Sequence, residues 1–237
     1  MRKSIVTAVV AGLVGWASAA NAVNLIPNGD FELGATGFSS DYTNSPASNT
    51  DEGQYTVRTD PYPWNPNFVS VGDHTTGTGQ MLVVNGAPIA DQVVWQSGPI
   101  GITSATDYFF EAFVMNVCCN PNYQGGNSPP VLTFSISLDG GLPIVLNTLS
   151  IPLVPPGVWN GLSTSFNSGT ATSAVLYLIN ANTERAGNDF AVDDVSLSTQ
   201  SIVNSVPEPG TWMMMLLGFG VIAMTLRRGR RPSAVAA

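Results

Sequence analysis

From Leu132 to Asp139 the chain alternates. Leu132, Phe134, Ile136 and Leu138 are apolar, and Thr133, Ser135, Ser137 and Asp139 between them are polar. A period of two with one polar face predicts a half-buried strand. Asp139-Gly140-Gly141 predicts a turn and Ile144 to Leu149 a returning strand, so the two runs read as a hairpin. Tyr108 to Val117 and Ala174 to Ile179 are apolar on nearly both faces, which predicts central strands. Further strands are expected over Gln80 to Asn85, Gln92 to Ser97, Val158 to Phe166 and Phe190 to Leu197. In Val192-Asp193-Asp194-Val195 the two valines cannot share one face of a regular strand, so a local bulge is expected. No amphipathic helix pattern occurs between 23 and 206, and Pro, Gly and Asn interrupt the chain at short intervals. Many short strands of this kind predict an all-β fold, an antiparallel β-sandwich of jelly-roll type.

Two other apolar runs flank this body. Arg2 and Lys3 precede Ile5 to Trp16, and both Ala17-Ser18-Ala19 and Ala20-Asn21-Ala22 fit an A-x-A cleavage site. Residues 1–22 are read as a signal peptide, cut after Ala22. Gly210 to Leu226 holds seventeen residues without a charge. As a helix it would reach about 25 Å, slightly short of a ~30 Å hydrocarbon core. It would span with local thinning or with snorkelling arginines. Arg227, Arg228, Arg230 and Arg231 follow directly and should stay cytoplasmic. Pro207 and Pro209 keep the backbone extended just before the helix. The expected layout is a signal peptide 1–22, an ectodomain 23–200, a linker 201–209, a single transmembrane helix 210–226 and a basic cytoplasmic tail 227–237.

A plain tail anchor would also have a span and arginines, so the Pro207-Glu208-Pro209 box carries the distinction. With it, residues 206–231 resemble the PEP-CTERM sorting signal of Gram-negative bacteria. The resemblance implies an exosortase as partner and a passing attachment to the inner membrane through the C-terminal helix. It also implies release of that helix and delivery of the ectodomain to the cell surface, or to the exopolysaccharide of an extracellular matrix or biofilm.

Charge changes the picture further. Between residues 23 and 206 only Arg58 and Arg185 are basic, against fifteen Asp and Glu, a formal −13. That argues against nucleic acid, which needs clustered basic residues. It is compatible with cation binding and with solubility outside the cell. Cys118 and Cys119 are adjacent, and export permits their oxidation. A vicinal disulfide, an intermolecular bond and two free thiols are all open. Zinc sites need more ligands at wider spacing.

Three motifs hold the candidate metal ligands: Asn28-Gly29-Asp30-Phe31-Glu32, Asp73 to Leu82, and Val192 to Leu197. The first and last strands of a jelly roll usually lie close together, which would bring Asp30 and Glu32 near Asp193 and Asp194. Converging carboxylates repel unless protonated or bridged by a cation, and calcium takes several oxygen ligands. Solvated loop carboxylates that only stabilise turns are the plainer alternative. The three motifs together resemble extracellular galactose-binding-like jelly rolls and the carbohydrate-binding modules of bacterial glycanases. That resemblance implies a structural Ca2+ site from the opening Glu32 and the closing Asp193 or Asp194, with Asp30 and Asp73 as additions.

For a ligand, Tyr62, Trp64 and Phe68 lie in a proline-stiffened loop, and Tyr123 lies in a second loop over Asn116 to Pro130. Flat rings stack on the apolar faces of sugars, while the same rings could instead cap the sandwich edge. His74 is the sole histidine, and its neighbour Asp73 has poor geometry for orienting its ring. No GxSxG, HExxH or phosphate-loop pattern occurs. The expected function is therefore a non-enzymatic surface or matrix protein with polysaccharide binding. The alternatives are a purely structural coat or biofilm protein, and a small glycan-active hydrolase built on two of the many carboxylates.

Overall fold

The computed structural model describes residues 23–49, 51–203 and 218–219. Ala22–Ser205 makes one unit of the chain, and Met1–Asn21 with Val206–Ala237 make another. The expected signal peptide, the Pro-Glu-Pro box, the apolar span and its arginines lie outside the described residues. Among the described residues no helix is long and apolar enough to cross a membrane.

Twelve strands build the first unit. They are β1 (Phe38–Ser39), β2 (Thr43–Asn44), β3 (Gln54–Arg58), β4 (Met81–Asn85), β5 (Val93–Ser97), β6 (Ile100–Gly101), β7 (Asp107–Asn116), β8 (Val131–Leu138), β9 (Ile144–Ser150), β10 (Asn160–Asn167), β11 (Ser173–Asn180) and β12 (Phe190–Ser198). One sheet runs β1-β5-β11-β8-β9, with β6 also on β11; the other runs β10-β7-β12-β4-β3-β2. Every pairing is antiparallel except β2 with β3. The expected β-sandwich is the observed one.

Alternation drives the packing. On β11, Ala174, Leu176 and Leu178 point inward, and they meet Phe134 and Ile136 of β8 and Phe110 and Val114 of β7 in one core. The β8–β9 hairpin forms as expected, with Ile136 opposite Ile144. Its turn uses Asp139 at φ 47° and Gly140 at φ 73°. The Asp139 carboxylate accepts the amides of Thr172 and Ser173, both at 3.0 Å. β7 and β11 are central, each flanked on both sides. β3 was not expected from the sequence, because Gln54-Tyr55-Thr56-Val57-Arg58 is short and mostly polar. It forms by pairing with β4.

The second sheet is apolar on both faces because it is covered twice. Met81, Val83, Met115 and Ala191 face away from the sandwich core. Trp64 and Phe68 close over them, with Val69, Val71 and Trp159 packed alongside. This corrects the reading of Trp64 and Phe68 as sugar-stacking rings: each is only 1% exposed. The physical reason is that four outward apolar side chains need a cover, and the proline-stiffened loop supplies it. The Trp64 indole N–H donates to the Ser45 carbonyl at 2.7 Å, which satisfies its one polar atom.

A fully buried Trp replaced by Ala costs roughly 3–5 kcal/mol in stability. Trp64→Ala is therefore expected to lower the unfolding free energy by about that much in a denaturant titration. A loss under about 1 kcal/mol would show that the loop is no part of the core.

Candidate functional site

The closing strand β12 carries the expected bulge. Asp193 pairs with Phe113 and Ser196 with Glu111, so Asp194 and Val195 together oppose the single residue Ala112 and β12 holds one extra residue. Asp194 takes a φ of 47°, a conformation that Asp tolerates better than most residues. Val195 is thereby returned to the core beside Val192. The N-terminal segment runs along this bulge, as the closeness of first and last segments predicted. Val195 N donates to Gly29 O at 2.8 Å, Leu25 N to Leu197 O at 2.9 Å, and the Asn24 amide to Val195 O at 2.9 Å.

The loop 73–80 lies against the bulge, and the candidate acids gather on it. Asp73 binds its own loop, accepting from Thr76 N at 2.8 Å and Gly79 N at 2.6 Å. Burial pushes its carboxyl up, but these bonds and the Thr76 hydroxyl outweigh that and hold it below the usual range. Glu32 Oε1 accepts Gln80 N at 2.8 Å. A Cβ on Gly79 would run into Glu32 Oε1 and come within 3.0 Å of Asp73 Oδ2, so a side chain there would displace the Glu32 carboxylate. Asp193 Oδ2 accepts the amides of His74 and Thr75 at 2.9 and 3.2 Å. Asp194 Oδ2 meets His74 Nδ1 at 2.6 Å, and its Oδ1 accepts the Thr75 hydroxyl at 2.8 Å. Asp30 makes one long contact, at 3.4 Å, with Glu32 N. Among the described residues no group of three or more His, Cys, Asp or Glu is placed to hold a metal ion. Glu32, Asp73, Asp193 and Asp194 bond this loop and Asp30 does not, and the five form no single donor set.

His74 is held from three sides. Its ring stacks on Phe113 with centroids 3.6 Å apart, meets the edge of Trp159 at 5.8 Å, and is tied by Nδ1 to Asp194. Beside it opens a cleft of about 540 Å³ on the outer face of the second sheet, lined by Asp30, Phe113, Asp194, Ser196, Ile26 and Ile202 among others. That volume suits a small ligand. The Ser196 hydroxyl in this wall is buried and makes no hydrogen bond. On the same face Glu111 accepts Ser163 Oγ at 2.6 Å, Ser201 Oγ at 2.5 Å and Ile202 N at 2.6 Å. It thereby fastens the start of the expected linker to the sheet.

Of the expected ligand-binding rings, Tyr62 is 48% exposed and Tyr123 half-buried. No ring contact joins them among the described residues. Cys118 and Cys119 are bonded to each other across a cis peptide, with Cα atoms 2.9 Å apart. Phe113, Ser196 and Glu111 were not picked out from sequence, and Asp194 was expected as a metal ligand and not as the partner of His74. The oddness of the Asp193-Asp194 pair was the one signal pointing there.

Two acids near this strand titrate abnormally. Burial, with the charge of Asp194 added, pushes Asp193 up to about 7 against the amides of Asp194, His74 and Thr75. At the start of β12, burial pushes Asp189 up to about 8, opposed by the single amide of Gly86 and reinforced by the charge of Glu52.

Residues 205–231 match the PEP-CTERM protein-sorting motif. The chain therefore carries the C-terminal sorting signal of an exported protein. Nothing matches among curated proteins. Among solved structures, the body is similar to the Stig cyclase Fisc from Fischerella sp. TAU in complex with an indole compound. Identity there is 15% over 76% of this chain and 98% of that one, with a TM-score of 0.51. The tandem CBM22 domains of a Paenibacillus barcinonensis protein match at 16% identity over 82% of this chain and TM-score 0.47. The chain spans only 50% of that tandem. A CBM61 domain in complex with beta-1,4-galactotriose matches at 15% identity over 75% of this chain and 99% of its own, with a TM-score of 0.45. At such identities the likeness concerns the fold.

Raised carboxyls make the fold sensitive to alkali. The folded state keeps protons on Asp189 and Asp193 that the unfolded chain releases near pH ~4. Stability should therefore fall as pH rises from ~4 to about 8 and then level off. The melting temperature is expected to be higher at pH 5 than at pH 9 by roughly 5 °C or more. Asp189→Asn should remove much of that difference. A melting temperature that climbs from pH 5 to pH 9 would contradict this assignment.

Proposed function

We propose that this chain is a non-enzymatic exported protein that binds polysaccharide in the cleft between His74, Asp30 and Ser196. On this reading an exosortase processes its tail, and the body is delivered to the surface or extracellular matrix of a Gram-negative cell. The observation that carries the binding reading is the cleft itself: three apolar side chains, polar neighbours and a buried, unsatisfied hydroxyl on a body fitted with a sorting signal. Ile26, Ile202 and Phe113 suit the C–H face of a sugar, and Ser196 and Asp30 suit its polar rim. Tyr62 and Tyr123 stay outside this cleft, so the ligand role moves away from the proline-rich loop.

Calcium is a separable part of the proposal. In support, Glu32 Oε1 and Asp73 Oδ2 both border the position a Cβ on Gly79 would take, and Asp193 anchors the same loop. That arrangement suits only an ion whose other ligands are uncharged oxygens, which calcium accepts. Bound there, the ion would brace the loop that carries His74.

A second reading, a small glycan-active hydrolase, has one observation in its favour. His74 is oriented by Asp194 in the same cleft as Ser196.

On a glycan array the purified full chain should bind at least one polysaccharide class, with no reducing ends released on long incubation. Steady release of reducing ends would promote the hydrolase. Replacing Pro207-Glu208-Pro209 with alanines should hold the unprocessed chain in the inner membrane. Normal surface display of that variant would leave only a plain anchor. Millimolar calcium should raise the melting temperature relative to EDTA, and Glu32→Gln should abolish the rise. Superimposable melting curves would remove the ion.

A further inference from the structure

The His74 cleft has a one-sided charge. Its ionisable side chains besides His74 are Asp30 and Asp194, and no lysine or arginine lines it. The two arginines of the body are elsewhere. Arg185 pairs with Glu52 at 3.1 Å, and Arg58 lies on β3. The whole body between 23 and 206 carries two basic residues against fifteen acids. A uronate or phosphate in this cleft would meet like charge with nothing to offset it. A neutral sugar could donate hydroxyls to Asp30 but would leave the negative charge of the cleft without a countercharge as it is shut off from water. A ligand bearing an ammonium group relieves both problems.

A second feature, independent of the acids, points to a polar ligand. Ser196 is 2% exposed and its hydroxyl has no hydrogen-bond partner, although the residue lines the cleft. A buried unsatisfied hydroxyl costs about 1–3 kcal/mol, and a ligand hydroxyl or amine would recover part of that. Asn24 and Asn28, also in the lining, already bond to Val195, Leu197, Leu33, Gly34 and Thr36. Asp30 has one long contact only, so its oxygens remain available. With Nδ1 turned to Asp194, the Nε2 atom of His74 is the ring nitrogen left for a ligand.

We propose that the cleft takes an amine-bearing sugar, a unit of a cationic amino-polysaccharide, with Asp30 and Asp194 flanking the ammonium and Ser196 bonding the ring. This rests on the polysaccharide-binding reading and narrows it. Phe113, Ile26 and Ile202 cover the apolar face of the ring, and the acidic body steers the polycation toward it.

The test is calorimetric titration of the full chain with three oligosaccharide sets of equal length: glucosamine oligomers, their fully N-acetylated counterparts, and uronate oligomers. The glucosamine set should bind at least tenfold more tightly than the N-acetylated set, and the uronate set not at all. Raising the salt from 50 to 500 mM should shrink that preference. Asp30→Asn should weaken glucosamine binding about fivefold or more, with Glu184→Gln as an exposed control that changes nothing. Ser196→Ala should lower affinity while leaving the melting temperature equal or higher, a combination that a purely structural serine would not give. N-acetylated or uronate oligomers binding as well as glucosamine would overturn the amine assignment and leave the wider reading standing. Binding of none of the three sets would overturn both. The comparison among ligands needs no variant, so it holds even if Asp30→Asn folds poorly.

Discussion

The site depends on one contact, the grip of Asp193 on the amides of His74 and Thr75. A bulge of one extra residue in β12 makes it. It leaves Asp193 on the outer face opposite Phe113 and gives Asp194 the backbone turn that aims it at the His74 ring. A carboxylate that accepts two N–H groups from a loop fixes that loop without any regular secondary structure. Through it the loop is set, His74 is seated on Phe113, and the cleft gains one wall. The same residue is buried beside a second acid, which is why its proton is held so tightly.

The second sheet shows how one constraint divides a surface into two uses. Its outer face is apolar at Met81, Val83, Met115 and Ala191, and there the loop with Trp64 and Phe68 covers it permanently. Farther along β7 the outward residues are Phe113 and Glu111. No aromatic loop covers these; the N-terminal segment, His74 and the first residues of the linker surround them instead. The covered part contributes stability, and the stretch at Phe113, which lines the cleft, can accommodate a ligand. Glu111 also holds the end of the body in place, since two hydrogen bonds fix Ser201 and Ile202 on the sheet shortly before the sorting motif begins at 205.

Much of the architecture was legible. The alternation in Leu132–Leu138, the two-faced apolar runs that became β7 and β11, and the broken alternation at Asp193-Asp194 each had a local cause visible in the chain. The sorting tail was legible for the same reason, because a proline box, an uncharged run and arginines act through their order alone. β3 was not, since its short, mostly polar run is ordered by its neighbour β4. Trp64 and Phe68 were open to two readings: an aromatic in a proline-rich loop looks the same whether it faces solvent or a sheet, and burial decides which.

Sequence alone determined the eight longer strands other than β3, the sandwich class, the strong acidity of the body and the sorting signal, because all of these follow from periodicity, composition or contiguous motifs. Only the tertiary structure decided which acid orients His74, which rings are buried, and which serine is left unbonded in a cleft. Asp194 and His74 stand 120 residues apart, and their meeting depends on a bulge, a strand register and a loop conformation acting together. No local pattern encodes a distance of that kind, since it is set by the packing of segments far apart in the chain.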